Sequence, residues 1–391
     1  SKYHLKEIDL AKEYLENAVK GNIKDPKVLL YTGYLRYDKK EFKPAVEMLA
    51  QAEAAGEKEP GIYEKRGKAA YQVKDYATAV TDLEKFVQAG GQNDLTAVEN
   101  LALSYIQSQK NKEAQPYLEK AATLGSKDKE VFFQLGNARF RDSNFKTAIV
   151  AYDQAIALGA ADEVVYNNRG KARLNEGLAK ESIEDFNRAL QIKNEYSQAI
   201  KNRAAAFYQL ADWPKVIADV AILKSKGQAG VEEFGFSAVA RFKTKDYKGS
   251  VEDGGKAIES GTTVKEVYAA RGRSFFEQKE FEKALPDLSK AIELGETTAE
   301  IFFVRGATHF QLGSYQQARA DLDKAITGGY AEAVAFDMRG FTKMESKELD
   351  DAIADFSVAI EKDAKFSKAF FHRGDAKFRS NNIAGAVADY T

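Results

Sequence analysis

Residues 265–298 read KEVYAARGRSFFEQKEFEKALPDLSKAIELGETT, and residues 299–332 read AEIFFVRGATHFQLGSYQQARADLDKAITGGYAE. Laid one under the other, they match Arg271 with Arg305, Gly272 with Gly306, Ala284 with Ala318, Asp287 with Asp321, Leu288 with Leu322, Ala291 with Ala325 and Gly295 with Gly329, each pair 34 residues apart. Such a fixed period is the mark of a repeat array, in which each unit buries its apolar face against its neighbours.

The register extends outward in both directions. With Gly272 as position 8 of a unit, the same small residue recurs at Gly33, Gly67, Ala102, Gly136, Gly170, Ala204, Ala238, Gly306, Gly340 and Gly374. Units therefore start near 26, 60, 95, 129, 163, 197, 231, 265, 299, 333 and 367. Residues 1–25 read as a partial repeat, a second helix only, with Ala11, Leu15 and Ala18 in register, and the last unit stops incomplete at Thr391. Positions 4, 8 and 11–12 share one face of a first helix, and positions 20, 24 and 27 share one face of a second. Small residues at 8 and 20 (Gly306 and Ala318, for example) let the helices approach, and large ones at 24, such as Leu288 and Phe356, fill the space beside the contact. Position 31 is glycine in eight units, Gly56, Gly90, Gly125, Gly159, Gly227, Gly261, Gly295 and Gly329, where a left-handed residue would end the second helix. Lys193 and Asp363 are the exceptions.

This period and its small–large pattern resemble the tetratricopeptide repeat family, over nearly the whole chain. Two departures stand out: glycine at position 31 punctuates where the family often has proline at 32, and arginine often replaces leucine at position 7. The resemblance implies an all-α fold, an α-solenoid of about eleven tandem helical hairpins in a right-handed superhelix, with first helices lining a concave groove. It implies a non-catalytic scaffold or adaptor that binds other proteins within a larger assembly, in the style of long bacterial arrays serving cell-envelope or secretion machinery. The alternative is the substrate-recruiting arm of a larger enzyme, such as a glycosyltransferase, with its catalytic domain outside this chain. Neither end carries the polar cap a solenoid needs, so the expected native chain is longer.

Composition agrees with an interaction role. The 58 basic and 59 acidic residues leave a net charge of -1, without the basic field that nucleic-acid binding requires. No apolar run approaches the roughly 18 residues of a membrane helix. Cysteine is absent, which removes disulfides and thiol chemistry and suits an oxidising bacterial periplasm or envelope as well as a cytoplasm. His4, His309 and His372 are too scattered for a zinc site. No nucleophile elbow, P-loop or dinucleotide fingerprint occurs, so neither a catalytic centre nor a cofactor is expected.

Candidate binding residues follow from the family groove, positions 2, 5, 6, 9, 12 and 13. Position 5 carries Leu30, Phe133, Phe303 and Phe371, and position 9 carries Tyr34, Leu103 and Phe341. Each either packs on a neighbouring first helix or anchors a partner. Asn137 and Asn168 resemble two members of the family's carboxylate clamp, but Phe133, Gln198 and Asn202 stand where the clamp carries basic residues. The glycine-rich unit from Val231 to Gly261, with Gly254 at the large position 24, reads as loosely packed and filled by neighbouring side chains, or as a flexible joint.

One covariation is internal to the repeats. Arginine at position 7 accompanies aspartate at position 23 in Arg169/Asp185, Arg203/Asp219, Arg271/Asp287, Arg305/Asp321, Arg339/Asp355 and Arg373/Asp389, and also in Arg66/Asp82. Thr32/Met48, Leu101/Tyr117 and Leu135/Ala151 lack both, and only Ser237/Asp253 breaks the rule. The expected cause is an ion pair joining the two helices of each hairpin, with a shared ancestral repeat as the competing explanation.

Overall fold

The computed structural model describes residues 25–391 together with residues 10, 12–15, 17, 18 and 21. The single helix expected over Leu5–Asn22 therefore lies largely outside the described residues, as does His4. Among the described residues every regular element is a helix. The chain is all-α and of the α-solenoid type, helical hairpin after helical hairpin.

It divides into two compact units, Ser1–Asn194 and Glu195–Thr391. In the first, the helix pairs are Pro26–Asp38 with Phe42–Ala54, Pro60–Gln72 with Tyr76–Gln88, Leu95–Gln107 with Asn111–Thr123, Lys129–Arg141 with Phe145–Ala157, and Glu163–Asn175 with Ala179–Ile192. In the second they are Ser197–Gln209 with Trp213–Ser225, Val231–Lys243 with Tyr247–Glu259, Lys265–Glu277 with Phe281–Glu293, Ala299–Gln311 with Tyr315–Thr327, Ala333–Glu345 with Leu349–Lys362, and Ser367–Arg379 with Ile383–Tyr390. Nearly all are 13 residues, about 20 Å long.

Local chemistry starts and stops these helices. Asp25, Asp94, Asp128 and Asp162 each accept a backbone N–H from the first turn at 2.8–3.0 Å, capping first helices and placing a carboxylate at the positive end. At the other end Gly125 (φ 84°) donates to Ala122 O and Ser126 donates to Ala121 O, the paired bonds of a left-handed glycine stop. Where lysine and aspartate replace that glycine, at Lys193 and Asp363, the second helix runs to 14 residues and leaves through extended backbone.

The turn inside the hairpin is equally constrained. Position 15 is left-handed in every hairpin, and nine of these residues carry a side chain, from Lys40 (φ 60°) to Asn381 (φ 65°); Gly177 and Gly313 fill the other two. Side-chain periodicity reports faces and is blind to φ, so this turn is found from the coordinates.

The core sits between the helices of each hairpin and against the next hairpin of the same unit. A Cβ on Gly136 would lie 2.5 Å from the Tyr152 ring, and one on Gly67 would lie 2.7 Å from Leu83 Cγ. Small position 8 and large position 24 are thus complementary halves of one contact. In hairpin 231–259 both helices keep full length despite their glycines. The stem of Arg271, from the next hairpin, lies 3.2–3.4 Å from where a Gly254 Cβ would be. That space is filled by a neighbouring side chain.

Candidate partner-binding surface

Arginine forks set the geometry behind the surface. In hairpin 60–88, Arg66 donates from Nε to Asp82 Oδ2 at 2.6 Å and from Nη2 to Oδ1 at 2.9 Å. The same two-point grip, at 2.6–2.9 Å, joins Arg203 to Asp219, Arg271 to Asp287, Arg305 to Asp321, Arg339 to Asp355 and Arg373 to Asp389. Arg169 and Asp185 meet at 2.6–3.2 Å. Every aspartate here is buried or nearly so, which favours the planar, preorganised guanidinium over lysine. A cation at position 11 adds to four of the aspartates of this type: Arg173 to Asp185, Arg241 to Asp253, Lys343 to Asp355 and Lys377 to Asp389.

The remaining guanidinium nitrogen reaches backward. Arg169 Nη1 meets Asp153 at 2.7 Å, Arg339 Nη1 meets Asp323 at 3.0 Å, and Arg373 Nη1 donates to Ser357 Oγ at 3.1 Å, each partner on the second helix of the preceding hairpin. One side chain thus ties its own hairpin and the one before it. The exceptional hairpin keeps its buried aspartate by other means: Asp253 accepts from Ser237 Oγ at 2.6 Å and is flanked by Lys224 and Arg241 at 2.5 and 3.1 Å.

The sequence candidates for the groove part company. Leu30 and Leu103 are buried, 2% and 4% exposed, and cannot be partner contacts. Leu30 packs with Leu49 and with Ile62 of the next hairpin, and Leu103 lies in the large cluster with Leu101 and Phe132. The first helix of the following hairpin covers them. Tyr34 is half-buried against Lys65, whose Nζ sits 5.3 Å from its ring centre. Phe133 is half-buried beside Tyr152, Phe303 stacks on Tyr330 at 4.2 Å, and Phe341 packs among Phe310, Tyr315 and His372. Phe371 is 61% exposed, its ring near His372 and Tyr390.

Asn137 and Asn168 do come together. Asn168 Nδ2 donates to Asn137 Oδ1 at 3.1 Å, and Tyr152 Oη donates to the same oxygen at 2.8 Å. Burial pushes the Tyr152 phenol well above its ordinary value, against a weaker opposing pull from Arg141, so the hydroxyl keeps its proton for this bond. Around the two amides lies a cavity of about 300 Å³ lined by Asn137, Phe140, Arg141, Tyr152, Asn168 and Lys171. Arg141 and Lys171 are exposed at its mouth, and among the described residues neither has a carboxylate within ion-pair distance. Lys171 Nζ stands 5.5 Å from the Phe140 ring centre.

These two cations and Phe140 escaped the sequence reading, although positions 13, 9 and 12 belong to the groove set. The signal was basic residues at groove positions without a partner. Gln198 and Asn202 bond to each other at 3.3 Å. Among the described residues no group of three or more His, Asp or Glu side chains could hold a metal ion, and no helix is long and apolar enough to cross a membrane.

Comparison with known proteins places the helical hairpins in context. The family model described as tetratricopeptide repeat matches residues 99–163, 133–197 and 269–333. No curated protein sequence matches the chain. Among solved structures, a tetratricopeptide repeat protein from Parabacteroides merdae aligns at 18% identity and TM-score 0.41, covering 65% of this chain and 99% of that one. The C-terminal part of a TPR repeat-containing protein from Cytophaga hutchinsonii aligns at 15% identity and TM-score 0.43, covering 61% and 98%. MamA from Desulfovibrio magneticus aligns at 14% identity and TM-score 0.37, covering 41% and 90%.

Proposed function

We propose that this chain, a tandem array of tetratricopeptide repeats, is a non-catalytic scaffold whose partners dock on the face of its first helices. Such repeats serve generally as protein-interaction scaffolds. The observation that carries the finer reading is the unspent recognition chemistry on that face. Among the described residues Arg141 and Lys171 stand without acidic partners beside two asparagines, whereas most position-23 carboxylates are consumed inside hairpins. Aromatic and arginine side chains on a rigid support are the usual anchors of protein interfaces.

Site-specific photocrosslinking tests it. A photoreactive residue in place of Arg141 or Lys171 should capture discrete protein partners, and one in place of Val150, exposed on a second helix, should not. Equal capture at Val150, or none at either first-helix site, overturns the reading.

A further inference from the structure

We infer that the crevice between second helices Phe42–Ala54 and Tyr76–Gln88 takes up a carboxamide side chain, glutamine or asparagine, from a partner protein. It is a second docking surface, and it shares no residue with the first-helix site of Arg141 and Lys171.

The other repeats show what is missing here. In three hairpins Nη1 of the position-7 arginine reaches a side chain at position 25 of the preceding second helix. Arg169 meets Asp153 at 2.7 Å, Arg339 meets Asp323 at 3.0 Å, and Arg373 meets Ser357 at 3.1 Å. Before Arg66 that position is Ala50, which offers no side-chain acceptor. Arg66 gives Nε and Nη2 to Asp82, and Nη2 also to Glu53 at 2.6 Å. Its Nη1 has no hydrogen bond among the described residues, on a side chain only 8% exposed. The walls are small as well. Ala77, Thr78 and Thr81 stand where hairpin 163–192 carries Lys180, Glu181 and Glu184. With Val46 and Ala50 they leave a cavity of about 430 Å³, which Arg66 also lines.

Charge balance selects the occupant. Arg66 and Lys85 border the cavity with Asp82 and Glu53, and Lys85 Nζ lies 3.7 Å from Glu53, so two cations already meet two carboxylates. A further carboxylate would stand against Asp82 and Glu53, and a further ammonium against Arg66 and Lys85. Either would give up hydration without a counterion of its own. A neutral group that carries an acceptor beside a donor suits such a site. A carboxamide oxygen would accept from Arg66 Nη1, and its NH2 would donate to Glu53 or to Thr81 Oγ1. Thr81 spends its own proton on Ala77 O at 3.0 Å and keeps lone pairs to accept. Ser357 beneath Arg373 is already a neutral acceptor in the corresponding crevice. The methylenes of the entering side chain would lie on Val46 and Ala50.

Heteronuclear NMR of the full chain tests this, read at the Arg66 Nε–H and the Thr81 amide. The probes are Ac-Ala-Gln-Ala-NHCH3, Ac-Ala-Glu-Ala-NHCH3 and Ac-Ala-Leu-Ala-NHCH3, whose N-methyl ends leave the glutamine as the one primary carboxamide. The glutamine peptide should shift both signals to saturation. The other two should bind at least about fivefold more weakly, the worth of one hydrogen bond. Ala50→Asn places a carboxamide at position 25 of the chain itself, and Thr81→Glu restores the kind of wall that Glu184 provides. Each should abolish the glutamine response with an unchanged circular dichroism spectrum, because both positions are exposed. An equal response to the leucine peptide would assign recognition to the partner's backbone amides or to apolar contact, and a stronger response to the glutamate peptide would assign it to an anion. Either result overturns the inference, as does binding that survives in either variant or no response to any peptide. Crosslinking at Arg141 or Lys171 that persists in that event leaves the first-helix reading standing, and this crevice alone is withdrawn.

Discussion

Arg66 and Asp82, sixteen residues apart, close on each other at two points inside hairpin 60–88, with side chains only 8% and 2% exposed. The pair joins the first helix to the second at a depth where water cannot screen it. Burial pushes the Asp82 carboxyl up, and the Arg66 bonds and charge pull it back; the guanidinium itself stays charged. Arg66→Ala should therefore cost about 3–5 kcal/mol in urea denaturation, since it leaves the buried Asp82 carboxylate without its partner, and Asp82→Ala should cost less, since Arg66 keeps Glu53 at 2.6 Å. The apolar double replacement Arg66→Met, Asp82→Leu should cost far less than the sum. Additive losses in that cycle would show that the two side chains do not act as a pair.

The left-handed turn at position 15 offers a stability gain. Ala211 adopts φ 55° on an exposed turn. That conformation costs an L-residue about 1–2 kcal/mol, and glycine gives back roughly 0.5–1 through its greater unfolded freedom. Ala211→Gly should stabilise the protein by about 0.5–1 kcal/mol, and Gly177→Ala, at φ 85°, should destabilise it. A destabilising Ala211→Gly or a stabilising Gly177→Ala in thermal unfolding would remove the argument.

Two adjacent glycines in hairpin 231–259 should respond differently. A Cβ at Gly255 meets one atom at ordinary distance, Arg271 Nη1 at 3.8 Å, so Gly255→Ala should stabilise the helix by about 1 kcal/mol. A Cβ at Gly254 comes 3.2 Å from Arg271 Cβ, which cannot swing aside, so Gly254→Ala should lose that gain. Native-state hydrogen exchange should find this hairpin opening before hairpins 265–293 and 299–327, and Gly255→Ala should delay it. Slower exchange here than in those neighbours would count against the claim.

Why the fold was legible and the surface less so follows from particular residues. Gly136 facing Tyr152, or Gly272 facing Leu288, is a contact within one repeat, and ten of the eleven units write it in register, Gly254 being the exception. The Arg–Asp pairs lie within one repeat too, so their co-occurrence could be read. Exposure is decided between repeats. Leu30 and Phe303 both occupy position 5, yet Leu30 is buried in a cluster with Ile62 of the next hairpin, while Phe303 is half-buried and stacks on Tyr330. Arg139 and Arg141 sit two residues apart, and Arg139 is tied to Glu119 of the preceding hairpin while Arg141 is not. A single sequence carries no record of such cross-hairpin pairing.

The last prediction concerns His309, whose Nδ1 is buried with no hydrogen-bond partner among the described residues. Burial lowers its pKa below the ordinary 6.5, Asp321 opposes this, and the Arg305 charge adds to the lowering. The folded protein therefore prefers the neutral ring. Its contribution to stability is fully present above the unfolded value, near 6.5, and is lost as pH falls through the lower folded value. Imidazole resonances followed by NMR should show His309 titrating below 6.5, and His309→Gln should flatten part of the fall in denaturation midpoint between about pH 7 and 5. His372 lies 2.7 Å from Asp337, so the His309 resonances must be assigned before they are followed. A His309 midpoint at or above 6.5 would mean that the ring finds a proton acceptor in solution and is not held neutral by its burial.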